Sequence, residues 1–431
     1  MVKTRAISGP PLGIRLNAGP RISYAPGDTI RGVVYRETHV VSPHAHIRIS
    51  LSGRSVANLL ASGGGQPVTE HNEFCFFESP GLTQTLLDGP LHLEKGGSGG
   101  MWPFAITIPF VADQDAVIRG NTQDGSYLPL SGVDQSSVPI PGSFTVGRVS
   151  GTSDAYVEYF LCAELRGDRN IHGQRWLATM PVTVRTRTHG PPVEDFHLQS
   201  KTLRWSVRTY LLDPSMQGAE LSFSQKSRQI FQSSKVPVFA GEIQVETPAI
   251  VQLESPIPVP FRVRAVPRWD ATSDIIQNMP QKIKLLSLSV ALISRTEVKC
   301  AGYPSSYLGR SERVIDLLVD ASIQELGREI FIPCTASGPP LDIGKLICLQ
   351  VGYDGRMGHT NKVLHDIYPS FTTFNIKHFH TLKWEVQFSV AGEKVKIGLP
   401  PAIVTALPPP SEPDNPEKGP SHPHKSQGAK S

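Results

Sequence analysis

The chain has few cysteines and no long apolar run. Five cysteines are spread over 431 residues, and no two of them form a Cys-x-x-Cys motif. The odd number argues against a disulfide framework and favours a reducing compartment. No stretch approaches the roughly 18 apolar residues of a membrane-spanning helix, and the first residues lack the apolar core of a signal peptide. We therefore expect a cytoplasmic protein.

Charge and glycosylation signals are also sparse. Charged residues make up only 19% of the chain, the formal net charge is +4, and no Asn-x-Ser/Thr sequon occurs. A charge this small gives no reason to expect nucleic acid as a partner. Glycine and proline are abundant instead, at 38 residues each. This composition is typical of a turn-rich β protein and excludes a coiled coil or a helical repeat.

Alternating apolar and polar residues predict strands throughout the chain. The clearest case is the segment 382–390, in which Leu382, Trp384, Val386, Phe388 and Val390 occupy every even position. This alternation places them on one sheet face and leaves the other face to water, as in antiparallel sheets that pack in pairs. No regular strand-then-helix order is present, so a parallel α/β sheet is disfavoured. We predict an all-β protein built from two tandem antiparallel β-sandwiches.

Composition shifts set the predicted domain boundaries. Strand patterning covers 12–187, stops, and resumes over 236–398. The interval 188–235 is predicted to be a linker that can hold a short helix. Residues 399–431 are rich in proline, serine, lysine and histidine and contain no aromatic residue. Such a segment cannot bury enough apolar surface to offset its ordering entropy, and we predict a disordered proline-rich tail.

One N-terminal segment is a specific motif. Residues 24–34 read Y-x-P-G-D-x-I-x-G-x-V. Pro26 presets the second position of a β-turn, and Gly27 can supply the positive φ that a type II turn requires at its third position. Gly32 lies within the following strand, where glycine indicates a bulge or a close backbone contact.

This segment resembles the start of arrestin-like N-terminal domains, and further matches follow in order. Segment 102–109 is similar to the family's W-x-F-x-I-x-I-P strand, 140–144 to its Pro-Ser-Phe element, and 369–376 to a closing element of the C-terminal domain. The whole resembles an α-arrestin of the fungal type. The motif residues, which we expect to be architectural rather than a binding site, are Tyr24, Pro26, Gly27, Asp28, Gly32, Trp102, Phe104, Pro141, Ser143, Phe144, Phe371 and Asn375.

The resemblance implies a non-enzymatic adaptor with no cofactor and no metal. Such proteins bind cytosolic tails or loops of membrane proteins, act in endocytic trafficking or signalling, and are recruited to the plasma membrane or endosomes. They commonly recruit a ubiquitin ligase through Pro-Pro-x-Tyr motifs, in which a WW domain grips the polyproline stretch. No Pro-Pro pair here has a tyrosine two residues on. Ligase contact, if made, would pass through an intermediary, and the resemblance also allows peripheral membrane association.

Four arginines are candidates for contacts with acidic or phosphorylated partner segments, because arginine forms bidentate charge-assisted hydrogen bonds. Arg185 and Arg187 alternate along one predicted strand, and Arg262 and Arg264 along another. The simpler interpretation is that both pairs lie on the wet face of a sheet, where charged residues are normal.

Other chemistry and other functions stay open as weaker alternatives. The pairs His44-x-His46 and His378-x-His380 could each supply half of a zinc site, but neither has an evident third ligand in the sequence. Packed or surface histidine is the favoured interpretation. The rival functions are a structural subunit of a sorting coat, resembling the arrestin-fold member of retromer, and a carbohydrate-binding or carbohydrate-active sandwich protein.

Overall fold

The computed structural model shows a protein built almost entirely from antiparallel sheets, and the all-β prediction is confirmed. The structure describes residues 3–18, 23–63, 66–77, 82–130, 138–149, 153–167, 175–216, 220–231, 235–279, 281–302, 305–352 and 367–411. Within this part of the chain, no helix is long and apolar enough to cross a membrane.

The N-terminal half forms two sheets that face each other. Its elements are β1 (Gly13–Leu16), β2 (Ser23–Tyr24), β3 (Thr29–Arg36), β4 (Val40–Gly63), β5 (Gln66–Cys75), β6 (Thr83–Leu93), β7 (Gly100–Thr107), α1 (Gln114–Ile118), β8 (Phe144–Val149), β9 (Ser153–Arg166) and β10 (Arg175–Val184). The smaller sheet has the order β1-β3-β7. The larger has the order β2-β10-β9-β4-β5, with β6 beside β4 and β8 beside β9.

The C-terminal half repeats this plan. Its elements are β11 (Gln199–Arg208), α2 (Phe223–Ile230), β12 (Val238–Thr247), β13 (Ile250–Gln252), β14 (Arg262–Pro267), β15 (Ile283–Cys300), β16 (Tyr307–Asp316), α3 (Val319–Glu325), β17 (Phe331–Ile332), β18 (Leu341–Asp342), α4 (Ile343–Leu346), β19 (Phe371–Thr372), β20 (Ile376–Val390) and β21 (Glu393–Leu407). One sheet has the order β11-β12-β14-β18, and the other β13-β21-β20-β15-β16, with β17 beside β15 and β19 beside β20.

Each half has its own hydrophobic core, but the two cores are not equally self-contained. The C-terminal core takes its buried residues from that half alone, apart from Phe196 in the connecting segment. The N-terminal core also contains Val298, Cys300, Phe374 and Ile376 from β15, from the turn before β20 and from β20 itself. The ring of Phe374 stacks on Phe74 at 5.2 Å between centroids. The two halves therefore share a packed apolar interface.

A polar contact seals the same interface. The Nδ2 amide of Asn375 donates hydrogen bonds to the carbonyl oxygens of Ser55 (3.3 Å) and Asn72 (3.0 Å). The Nδ2 amide of Asn72 in turn donates to the carbonyls of Gly125 and Lys299. Because both amides are buried, these bonds hold the halves in one fixed relation.

Two predicted boundaries are wrong. The interval predicted as a linker contains the ten-residue strand β11 as well as helix α2. The segment predicted as a disordered tail from 399 onward instead continues β21 to Leu407. Pro400 and Pro401 lie where the register between β20 and β21 shifts, so they are accommodated without ending the strand. Residues 412–431 lie outside the described residues.

Candidate functional site

Two adjoining cavities lie where the sandwiches meet. Their volumes are about 690 and 1010 Å³, and they share Thr186, Arg187, His189 and Ser411. We call the two together the junction groove. Its walls come from both halves, from the segment that connects them, and from the residues that follow the last strand.

Two equivalent serines build the walls of the groove. In the N-terminal half, the Ser143 amide donates to the Val184 carbonyl (2.7 Å), and the Val184 amide donates to Ser143 Oγ (2.9 Å). In the C-terminal half, Ser370 makes the same reciprocal pair with Ala406, at 2.7 and 3.0 Å. Each serine thus ties a Pro-rich turn to the final strand of its own sandwich.

The phenylalanine that follows each serine forms the aromatic floor. Phe144 is buried, and its ring packs edge-on against Tyr368 (4.9 Å between centroids) and Phe371 (5.1 Å). Behind this floor lies His378, whose ring is 4.9 Å from that of Phe144. The three aromatic rings of this floor, Phe144, Tyr368 and Phe371, therefore come from both sandwiches and pack together.

The Pro-Gly-Asp turn forms one rim. Gly27 has a φ of 92°, as its place in the predicted type II turn requires, and the Ala25 amide donates to the Asp28 carboxylate at 2.8 Å. A Cβ atom at position 27 would lie 2.5 Å from Cζ of Phe110. Phe110 therefore covers this turn while its side chain stays 56% exposed at the groove.

The connecting segment and the end of β21 form the other rim. The Thr188 amide and hydroxyl both donate to the Pro409 carbonyl (2.9 and 3.2 Å), and the Ser411 amide and hydroxyl both donate to the Thr188 carbonyl (3.1 and 2.9 Å). Thr188 Oγ1 also accepts from the buried Gln252 amide at 2.7 Å. Residues 408–411, which we call the strap, are thereby fastened to the connecting segment.

The charges of the groove are mainly cationic along this rim. Arg187 is exposed and lines both cavities, and Arg185 and the exposed His189 lie beside it. Of the two acidic residues in the lining, Asp28 is engaged by its own turn, and Glu254 lies in the larger cavity only. The groove therefore offers apolar rings at its floor and a guanidinium at its mouth.

The predicted motif residues divide into two sets. Pro26, Asp28, Pro141, Ser143, Phe144 and Phe371 line the junction groove. The others hold the scaffold: a Cβ at Gly32 would collide with the Arg15 carbonyl and the Phe104 ring, as the close contact predicted there requires. Tyr24 is buried, Trp102 lies on β7, and Asn375 joins the two halves. Phe110, Thr188 and Tyr368 were not predicted, because no periodic pattern marks them.

The four candidate arginines are not brought together. Arg185 and Arg187 follow the end of β10 at Val184, so they lie in the connecting segment and not on a strand as predicted. Arg262 and Arg264 lie on β14, away from the groove lining. Arg262 pairs with Asp342 and Glu246, and Arg264 donates to the Gln244 side chain at 2.6 Å. The simpler interpretation, charged residues on the wet face of a sheet, therefore fits Arg262 and Arg264.

His378, His380 and the cysteines lie in surroundings that indicate packing and not metal binding. His378 and His380 are buried and contact the hydroxyls of Thr296 and Ser294 at 2.9 Å, respectively. Burial lowers the pKa of His380 to about 4, and burial together with neighbouring His380 lowers the pKa of His378 well below its usual value. Within the described ranges, no group of three His, Cys, Asp or Glu side chains could hold a metal ion. All five thiols are free.

Comparison with known proteins does not assign the chain to a family. The chain matches no model of a known protein family and no curated protein.

Proposed function

We propose that this chain is a non-enzymatic, arrestin-like adaptor that binds extended cytosolic segments of membrane proteins in the junction groove. It would work in the cytoplasm, be recruited to the plasma membrane or endosomes, and link its cargo to endocytic sorting or signalling. Any ubiquitin ligase would be reached through an intermediary, because the chain lacks Pro-Pro-x-Tyr motifs.

The observation that carries this proposal is the composition of the groove. An aromatic floor of Phe144, Tyr368 and Phe371 offers apolar contact area, and Arg187 at the mouth offers a bidentate partner for a carboxylate or phosphate. Peptide-binding grooves combine these two elements, because apolar anchors give affinity and a few polar groups fix register. We infer that the preferred segment carries an apolar residue next to an acidic or phosphorylated one.

Three hydroxyls that line or border the groove support binding over catalysis. Ser143 and Ser370 each accept a hydrogen bond from a backbone amide, and the Thr188 hydroxyl bonds with Gln252 and Pro409. A nucleophilic hydroxyl needs a general base within hydrogen-bond reach, and these hydroxyls instead hold backbone together. Their chemistry is that of a scaffold for the groove walls.

The test is a binding screen with groove variants. Synthetic peptides that tile the cytosolic tails and loops of plasma-membrane transporters, in plain and phosphoserine forms, are probed with the purified full chain. We expect a subset to bind, and binding to fall at least ~tenfold in Arg187→Glu and in Phe110→Ser, since both side chains are exposed and their loss leaves the fold intact.

Arg31→Glu, an exposed arginine on β3, is the matched control and should bind like the wild type. If no peptide binds, the adaptor proposal is wrong. If peptides bind equally well to both groove variants, the binding surface lies elsewhere.

A further inference from the structure

Helix α2 presents its apolar face to solvent. The side chains of Phe223 and Ile230, two turns apart on one face, are 89% and 76% exposed, and that of Phe231 beside them is 80% exposed. An amphipathic helix on a globular protein normally turns this face towards the core. The helix buries none of its residues, so its apolar stripe is left open.

The polar face of α2 fastens it in this orientation. The Gln229 amide donates to the Glu393 carboxylate at 2.6 Å, and its carbonyl accepts from the Thr209 hydroxyl at 3.2 Å. At the N-terminus, Ser222 and Gln225 form a reciprocal capping box. Hydrogen bonds to β21 and to the residue after β11 thus hold the helix with its apolar stripe facing outward. A helix that did not pack on the sandwich would lack these bonds.

The same end of the C-terminal sandwich exposes further apolar side chains. Ile275 is 58% exposed and Met279 is 38% exposed, in the segment that follows β14. This segment is tied to the β11–β12 connection, because the Ser273 amide donates to the Val238 carbonyl and the Gln281 amide reaches the Leu212 carbonyl. We call α2, Phe231, Ile275 and Met279 the distal tip.

The charges carried by helix α2 itself are cationic, and the neighbouring segment of the tip carries the exposed Asp274 beside Ile275. Around the helix axis, Lys226 borders the apolar stripe on one side and Arg228 on the other, with Gln225 and Gln229 opposite. The helix carries no acidic residue. Glu220 precedes it, and the nearby Glu393 accepts the hydrogen bond from Gln229. An apolar stripe between two cations is the pattern of helices that lie in the interface of an anionic bilayer.

The small size of the tip favours a lipid surface over a protein partner. A stable protein interface buries about 800 Å² on each side, whereas an eight-residue helix is roughly 12 Å long and offers only a few side chains. A bilayer needs no matching pocket and accepts isolated aromatic rings. We propose that the distal tip inserts Phe223, Ile230 and Phe231 into the surface of an anionic membrane. This proposal is independent of the ligand assigned to the junction groove.

Vesicle binding tests the proposal. The full chain is sedimented with vesicles of phosphatidylcholine containing phosphatidylserine, and with vesicles of phosphatidylcholine alone. We expect binding to the anionic vesicles, at least ~tenfold weaker partitioning in the double variant Phe223→Ser/Phe231→Ser, and a smaller, salt-dependent loss in Lys226→Gln/Arg228→Gln. The double control Met101→Ser/Leu308→Ser removes two other exposed apolar side chains (62% and 60%) elsewhere and should bind normally.

A fluorescence probe checks that the tip itself enters the lipid. Indole emission of Phe231→Trp, compared with that of the wild type, should gain a blue-shifted component on anionic vesicles. Vesicle binding that is unchanged in the Phe223→Ser/Phe231→Ser variant would overturn the proposal, as would no binding by the wild type. So would a wild-type dimer in solution that this variant alone dissolves, because the stripe would then join two copies of the chain.

Discussion

The two sandwiches use one backbone plan with different side chains. In each, a short strand lies parallel beside the last strand, β2 beside β10 and β13 beside β21. In each, a short strand after a Pro-rich turn pairs with the next long strand, β8 with β9 and β19 with β20. Ser143 and Ser370 occupy the same place in this plan, and the junction groove forms where their turns face each other.

The comparison is sharpest at the buried side chain that secures each turn. In the N-terminal sandwich, the Tyr159 hydroxyl donates to the Pro141 carbonyl at 2.5 Å. The equivalent carbonyl in the C-terminal sandwich, that of Tyr368, bonds with His380 Nε2 at 2.9 Å. In each pair the carbonyl belongs to the residue two positions before the serine, and the side chain comes from the strand that pairs with the last strand of the sandwich. A phenol and an imidazole therefore do the same structural work.

The neighbour across the sheet differs accordingly. Gly53 lies opposite Tyr159, and a Cβ there would come within 2.7 Å of the tyrosine ring. Ser294 lies opposite His380 and contacts its Nδ1 at 2.9 Å. A large phenol requires the space that glycine leaves, whereas an imidazole requires a second hydrogen-bond partner. The same plan thus tolerates different chemistry when each pair changes together.

The largest expected effect tests the asymmetry of the cores. Phe374→Ala removes a ring that belongs to the C-terminal half in sequence but to the N-terminal core in space. We expect a loss of ~3–5 kcal/mol in the free energy of unfolding. Hydrogen exchange should accelerate in β4 and β5, because Phe374 stacks on Phe74 of β5.

The matched variant is Phe388→Ala, in which the lost ring packs on Trp205 within the C-terminal core. Its effect on hydrogen exchange should stay in the C-terminal half. Equal acceleration of exchange in both halves for both variants would show that the molecule unfolds as one unit and would remove the asymmetry.

The next largest effect is the pH dependence of stability, which compares the hydrogen bond of Tyr159 to Pro141 with that of His380 to Tyr368. The folded-state pKa of His380 is about 4, below the usual value near 6.5, so the folded state favours the neutral form. Unfolded chains then bind more protons, and stability falls as the pH drops from about 6.5 towards 4, by up to ~1.4 kcal/mol per pH unit for each such histidine. The pKa of buried His378 is lowered too, so it adds to this loss.

Tyr159 does not titrate in this range, because burial raises its pKa well above its usual value and it stays neutral. On going from pH 7 to pH 5, protection against hydrogen exchange, corrected for the pH dependence of intrinsic amide exchange, should therefore fall in β20 more than in β9. His380→Gln should reduce this difference, and Tyr159→Phe should destabilise the N-terminal half by about 1 kcal/mol without adding any pH dependence. An equal loss of corrected protection in β9 and β20 would contradict the assignment of the pH effect to the histidines.

The sequence predicts the strands whose two faces differ in polarity. The alternation at 382–390 agrees with β20, where those even-numbered residues are buried and Lys383 is exposed. Strand β11 could not be predicted in this way, because only Trp205 and Val207 of its ten residues are buried and the first four are exposed. A strand that packs over one end alone carries no period-two signal.

The junction groove could not be predicted from the sequence for a different reason. Its lining joins residues from Ser23 to Ser411, and their proximity depends on sheet pairing that no local pattern encodes. The motifs that predict the Pro-Gly-Asp and Pro-Ser-Phe turns do locate two of its walls. They do not reveal that the turns at Ser143 and Ser370 face each other, since this depends on how the two sandwiches pack, with Phe144 against Phe371.

The smallest effect tests a bridge that joins equivalent ends of the two sandwiches. Thr188 follows Val184 by four residues and Pro410 follows Ala406 by four, and these equivalent positions pair as a parallel bridge. Thr188→Val keeps the shape but removes the hydroxyl that bonds with Gln252 and Pro409, which leaves a buried amide with one partner fewer. We expect a loss of about 1 kcal/mol in the free energy of unfolding and faster hydrogen exchange of the Ser411 amide, which donates to the Thr188 carbonyl.

The control Thr183→Val, an exposed threonine on β10, should leave that exchange unchanged. If the Ser411 amide exchanges equally fast in both variants, the backbone alone holds the strap and the threonine hydroxyl does not contribute.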